Sequence, residues 1–111
     1  MTKIENLGGV KNLYPTSETD LSGYELIDVR RSEEFTGELA HIKNAKLVTL
    51  GPELQNFLMS ADKSKKYLFI CRSGGRSTQA CLFAQSIGFT DVTNLAGGMI
   101  EWNELGLDVE S

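Results

Sequence analysis

Two kinds of apolar spacing alternate along the chain. Short, mostly apolar runs read as strands at Tyr24 to Val29, Lys46 to Leu50 and Lys66 to Ile70, and Asp91 to Leu95 reads as a fourth strand. The run Tyr67-Leu68-Phe69-Ile70 is apolar on both faces, as a central strand of a parallel sheet must be when helices cover both of its sides. Between these runs the apolar positions recur with helical spacing. Leu54, Phe57, Leu58 and Ala61 follow Gly51-Pro52, where proline suits the first helical turn. Ala80, Phe83, Ala84 and Ile87 fall on one face of a helix predicted from Ser77 to Ile87, and Gly88 suits its left-handed C-terminal stop. A last helix is predicted from Met99 to Leu105, opened by Gly97-Gly98 and stopped by Gly106. Ser32 is placed to cap a short helix with Glu33 and Glu34 in its first turn, beside the positive end of the dipole.

The first twenty residues carry a weaker pattern, in which Val10 to Tyr14 adds an edge strand. Strands and helices therefore alternate, which predicts an α/β fold in three layers, with helices on both sides of a central, mainly parallel sheet of about five strands. No repeat, low-complexity tract or linker divides the chain, so residues 1–111 are expected to form one domain. In such folds ligands bind beyond the carboxyl ends of the strands. Asp28, Thr49, Cys71 and Leu95 would all lie near that rim.

Composition narrows the function classes. A formal net charge of −4 gives no general attraction to nucleic acid or to an anionic membrane surface. No apolar run approaches the length of a membrane span, and Met1 to Val10 has no signal-peptide core, so a cytoplasmic protein is expected. Two cysteines, Cys71 and Cys81, are too few for a disulfide scaffold, and no metal-ligand spacing accompanies them. Neither a metal nor an organic cofactor is expected.

Cys71 follows the most apolar strand directly and opens the loop Cys71-Arg72-Ser73-Gly74-Gly75-Arg76-Ser77. Glycines let successive backbone N–H groups turn inward as an anion-binding nest, and the helix starting near Ser77 adds the positive end of its dipole. Both favour a thiolate, the nucleophilic form of cysteine. Arg72 and Arg76 are suited to holding the oxygens of an anionic sulfur donor. A persulfide on Cys71 would need the same cradle, because its outer sulfur is anionic.

The loop, between an apolar strand and a helix, resembles the active-site loop of rhodaneses. Leu26-Ile27-Asp28-Val29-Arg30, then Glu34-Phe35, is similar to the family's N-terminal motif. Asn94-Leu95-Ala96-Gly97-Gly98-Met99-Ile100-Glu101-Trp102, then Gly106-Leu107, resembles its C-terminal motif. The resemblance runs from about Tyr24 to Val109. It implies a single-domain sulfurtransferase with Cys71 as the catalytic residue and Arg72, Ser73, Gly74, Gly75, Arg76 and Ser77 cradling donor and persulfide. It also implies that Asp28 and Arg30 sit beside the loop and brace it, although a structural ion pair would explain them equally well. The implied partners are a small anionic donor such as thiosulfate, or a persulfide, and an acceptor that is cyanide or a thiol, including a thiol on a protein. One segment departs from the family's Gly-His-Ile-Pro-Gly-Ala. Here it is Ala40-His41-Ile42-Lys43-Asn44-Ala45, where Asn44 is able to take a left-handed conformation in place of glycine.

Other residues have plainer readings. Cys81 lies within an apolar helix and is expected to pack in the core. His41, the sole histidine, is expected to stabilise a turn, because a low-pKa thiolate needs no general base. Trp102 is expected in the core with its N–H satisfied. A cysteine phosphatase or arsenate reductase is a rival reading. Those that resemble this fold have a loop one residue longer than the four residues between Cys71 and Arg76, and usually a histidine where Ile70 stands. A non-enzymatic interaction module is the second rival, disfavoured by the intact cysteine loop.

Overall fold

The computed structural model describes residues 2–111. Six strands form one sheet in the order β1-β2-β6-β5-β3-β4. They are β1 (Lys3–Leu7), β2 (Val10–Tyr14), β3 (Glu25–Asp28), β4 (Lys46–Leu47), β5 (Lys66–Ile70) and β6 (Asp91–Leu95). Only β1 runs antiparallel to its neighbour. The helices are α1 (Ser32–Phe35), α2 (Pro52–Ser60), α3 (Gly75–Ser86) and α4 (Gly98–Glu104).

Side chains alternate across the central strands and build two cores. Tyr67, Phe69 and Cys71 join Leu54 and Leu58 of α2 and Ala80, Cys81 and Ala84 of α3. Leu68 and Ile70 face the other way, against Met99 and Trp102 of α4, with Leu13, Ile42 and Leu95. The three-layer α/β/α arrangement follows, with β5 at its centre and no exposed face. In register, Asp28 lies beside Ile70, so the segments that leave β3 and β5 emerge side by side at the carboxyl edge.

The N-terminal region differs from the sequence reading. The sheet has six strands where about five were expected, and Val10–Tyr14 lies inside it, between β1 and β6. The edge belongs to β1, which a hairpin at Gly8-Gly9 joins to β2, both glycines having positive φ (60° and 85°). β1 lacks the signal that marks the other strands because it buries nothing fully, and Ile4 and Leu7 are about half exposed.

Three further boundaries move for local reasons. α3 begins at Gly75, two residues before Ser77, because Gly74 supplies the left-handed N-cap (φ 107°). Arg31 occupies the N-cap of α1, in place of Ser32, and its backbone N–H donates to the Glu34 carboxylate (3.1 Å). β4 is only two residues long, although the Val48 and Leu50 N–H groups still donate to Asp28 and Val29. Gly88 stops α3 with φ 103°, as expected.

In the segment that departs from the family pattern, Asn44 takes φ 73° and Ala40 takes φ 55°. Both stand where the family often has glycine, and the alanine bears the strain of a Cβ in the left-handed region. His41 stacks on Phe35 at 3.8 Å between centroids and bonds the Phe35 carbonyl through Nδ1 (2.9 Å). Its backbone pairs with Glu110. Both roles are structural, as expected. Trp102 is buried, with its indole N–H on the Asp108 carbonyl (2.9 Å). Among the described residues no helix is long and apolar enough to cross a membrane.

Candidate active site

Cys71 sits at the end of β5 with 1% of its surface exposed. The chain turns immediately after it. The Gly74 N–H donates to Sγ at 3.0 Å, and the Ser77 hydroxyl lies 3.3 Å from the same sulfur. Burial pushes the thiol up and is the largest single influence on it. The Ser77 hydroxyl and the N–H groups of Ser77, Gly74 and Ser73 together outweigh it, and the thiol lies below its ordinary value. The loop amides thus form a nest around the sulfur, and Gly75, in the first turn of α3, keeps the approach free of a side chain.

The loop is held from behind by α4. The Met99 and Ile100 N–H groups donate to the carbonyls of Cys71 and Arg72 (2.9 and 3.0 Å). A Cβ at Gly98 would lie 2.5 Å from both of these carbonyl oxygens. The glycine pair of the C-terminal motif therefore permits a close backbone approach as well as making a turn. A tight turn alone would have explained the pair in the sequence.

Arg76 reaches toward α1. Its two η nitrogens donate to the two carboxylate oxygens of Glu34 at 2.8 Å each. This fork holds the Glu34 carboxyl down at about 2. An anionic donor that used Arg76 would compete with Glu34 for it. Arg72 and Ser73 are exposed on the outer side of the loop. Arg72 borders a shallow depression of about 180 Å³ shared with Arg30, Glu33, Glu34 and Glu38. A larger cleft of about 1140 Å³ runs past Tyr24, Lys46, Phe57 and Trp102 and includes no residue of the cysteine loop.

Asp28 and Arg30 are buried together. The Arg30 Nε and Nη2 donate to the two Asp28 oxygens (2.9 and 2.8 Å). The remaining guanidinium contacts go to the carbonyls of Glu34 (3.2 Å) and Ala40 (2.7 Å). The pair thus ties β3 to the segment that carries α1, and through Glu34 to Arg76. It also stands beside the cysteine loop, because Asp28 is the register partner of Ile70 and Arg30 shares a depression with Arg72.

Two residues that sequence reasoning left without a role belong to the site. Glu34 had been read as part of a motif and as a helix-start acid. Its partner Arg76 is 42 residues away, and no local pattern pairs them. Asn94, on β6, accepts the Ser77 hydroxyl through Oδ1 and donates through Nδ2 to Asn12 Oδ1 (2.8 Å). The signal for Asn94 was a polar residue at a buried position of β6, shared with its neighbour Thr93. Cys81 lies in the core beneath α3, and burial pushes its thiol up to about 12. Among the described residues no group of three or more His, Cys, Asp or Glu side chains could hold a metal.

Fold and loop define a class: an α/β domain that presents one thiolate-stabilising cysteine at the carboxyl edge of its sheet. The family model for the rhodanese-like domain matches residues 11–105, and the chain belongs to the rhodanese family. YtwF of Bacillus subtilis, named as a candidate sulfurtransferase, is 40% identical over 77 residues, 69% of this chain and 71% of that protein. The human thiosulfate:glutathione sulfurtransferase is 36% identical over 90 residues, 71% of this chain and 78% of that one. One curated relative from Arabidopsis thaliana is longer, and the match spans 56% of it, while a sulfurtransferase of Allochromatium vinosum matches over only 47 residues, 42% of this chain and 44% of that one. The crystal structure of a rhodanese-related protein from Thermoplasma volcanium has a TM-score of 0.70 at 28% identity, covering 79% of this chain and 84% of that one. Family and relatives support a sulfurtransferase-type role.

Proposed function

We propose that this chain transfers a sulfane sulfur through a persulfide on Cys71. The observation that carries the reading is the sulfur itself, buried at a strand end and surrounded by donors that favour its anion. With thiosulfate as donor, the Cys71 thiolate attacks the outer sulfur. An S–S bond forms at Sγ, the bond to the sulfonate sulfur breaks, and sulfite leaves with the electron pair. The negative charge moves from Sγ to the new outer sulfur, where loop N–H groups receive it. An acceptor nucleophile, cyanide or a thiolate, then attacks that outer sulfur, and Cys71 leaves as a thiolate. No proton transfer is required, which suits a site whose one histidine is bonded to a backbone carbonyl.

Arg72, exposed at the loop's outer side, is the group best placed to meet an anionic donor, and Ser73, Gly74, Gly75 and Ser77 shape the cradle. Arg76 acts through its fork with Glu34, and Asp28 and Arg30 frame the segment that carries Glu34. A protein persulfide or thiol fits an exposed loop as well as a small donor does. A reducing cytoplasm would keep both cysteines as thiols. The short loop favours a single sulfur over a tetrahedral phosphate, and the retained cysteine favours catalysis over a purely binding role.

Intact mass before and after incubation with thiosulfate, beside Cys71→Ser, tests the proposal. Gain of one sulfur by the wild type alone, removed by cyanide, is expected. A folded, reduced wild type that gains sulfur neither from thiosulfate nor from glutathione persulfide would overturn it.

A further inference from the structure

A line of four polar groups runs from the catalytic sulfur along one face of the sheet to β2, and it has a direction. Asn12 and Asn94 are register partners on adjacent strands β2 and β6, and both point toward α3. Asn12 Nδ2 donates to the Val10 carbonyl (3.1 Å). That carbonyl has no proton to give, so the bond cannot reverse. Asn12 must therefore present its oxygen to Asn94, which donates through Nδ2 (2.8 Å). Asn94 in turn presents Oδ1 to Ser77, which donates its hydroxyl proton there. Ser77 and Asn94 are 0% and 3% exposed, so water does not substitute for either partner. A hydroxyl has one proton. When Ser77 gives it to Asn94, only its lone pairs face the Cys71 sulfur at 3.3 Å.

We propose that Asn94, oriented by Asn12, is a positioning residue that selects between two states of Cys71. With Ser77 turned to Asn94, the sulfur beside it is best uncharged, as in a thiol or in the inner sulfur of a persulfide. A free thiolate gains the Ser77 proton only if the hydroxyl turns away and leaves the Asn94 oxygen buried and unsatisfied. The share of the thiol's lowering that comes from Ser77 is thus drawn against Asn94. The line therefore raises the free thiolate relative to the loaded persulfide. It makes the thiolate readier to take sulfur and makes it a poorer leaving group afterwards, so that sulfur is retained until an acceptor arrives.

The persulfide half of this inference rests on the proposed sulfur transfer, whereas the thiolate half does not. The charged groups around Cys71 are Arg72 in the loop, Arg76 on α3, its partner Glu34 on α1, and the Asp28–Arg30 pair at the end of β3. The variants below leave all of them in place, while β6 and α4 offer the sulfur's surroundings an amide and backbone N–H groups.

The test uses the full chain with Asn94→Leu and Asn12→Ala, each alone and combined with Ser77→Ala. Asn12 is only partly buried, so its variant keeps the experiment valid if Asn94→Leu folds poorly. Thiolate formation at Cys71 is followed by ultraviolet absorbance and iodoacetamide alkylation across pH. Either single variant should give about tenfold more thiolate at a given pH below the midpoint, that is, a midpoint about one unit lower. Cyanide should remove loaded sulfur from them several-fold faster. Neither effect should appear when Ser77 is already alanine. An unchanged or raised midpoint in Asn12→Ala, or the same shift without the Ser77 hydroxyl, would overturn the proposal. Failure to load sulfur, with the midpoint shifted as expected, would count against the transfer reading alone.

Discussion

Cys71 and Cys81 stand ten residues apart and are equally hidden from solvent, at 1% and 0% exposure, on the same side of the sheet. Their thiols nevertheless move in opposite directions. Burial pushes Cys81 up to about 12, and only the distant charge of Lys11 opposes it. Burial acts on Cys71 too, but three N–H groups turned toward its sulfur, with the Ser77 hydroxyl beside it, reverse the outcome. The difference lies in backbone geometry. Cys81 is inside α3, where the N–H groups are committed to the helix, whereas the donors to Cys71 lie just before α3 or in its first turn, where N–H groups have no partner within the helix. Burial by itself makes a thiol inert. It becomes a site only where the fold also delivers uncommitted donors.

The comparison is broken most directly by alkylation. A thiol at about 12 is ionised in only ~1 in 10⁵ molecules at pH 7, while the Cys71 thiol is held below its ordinary value by the loop donors. At pH 7, iodoacetamide should therefore modify Cys71 in the Cys81→Ser variant faster by orders of magnitude than it modifies Cys81 in Cys71→Ser. Peptide mass mapping over time reads both rates. Comparable rates would mean that the loop amides do not activate Cys71.

A second variant tests whether the frame behind the loop creates the difference. Gly98 has φ 58°, and a methyl there would meet the Cys71 and Arg72 carbonyls at 2.5 Å. Gly98→Ala adds left-handed strain and a backbone clash, together about 3 kcal/mol. A denaturant midpoint should report the loss. In the fraction that stays folded, displacement of the loop should bring the Cys71 alkylation profile toward that of Cys81. Wild-type stability and reactivity would show that α4 does not hold the cradle.

Much of this was legible from the chain because the informative features are local. β5 announced itself by an unbroken apolar run, and its end placed Cys71 at the rim. Gly74 marked the loop because few other residues can make its left-handed turn (φ 107°). What escaped is non-local or lacks apolar signal. β1 is exposed on both faces, so no alternation marks it. The bond of Arg76 to Glu34 joins α3 to α1 across the mouth of the site, and only the packed sheet brings them together. The loop arginines looked equivalent in sequence, yet Arg72 is exposed while Arg76 is held by a carboxylate. Asn94 is one of three polar residues in β6, and its meaning required the register that sets it beside Asn12.

The smallest expected effect comes from that fork, and it sharpens the comparison by altering charge near Cys71 while leaving its donors untouched. The folded Glu34 carboxyl lies at about 2, below its ordinary 4.5, because of Arg76 chiefly and despite partial burial. A carboxyl lowered on folding stabilises the fold above its unfolded value and loses that contribution as pH falls through the folded one. The window here runs from about 4.5 down to about 2. Glu34 and Arg76 keep 21% and 35% of their side-chain surfaces exposed, so solvent screening reduces the fork to about 1 kcal/mol. Glu34→Gln should therefore be less stable than the wild type by about that amount at pH 7, with the two unfolding curves converging below pH 4.5. The same substitution leaves the Arg76 charge without its counterion, which should favour the Cys71 thiolate and lower its alkylation midpoint while Cys81 stays unreactive. A stability difference that persisted unchanged to pH 2 would deny the fork its ionic character, and an unmoved Cys71 midpoint would show that the loop amides alone set the thiolate apart.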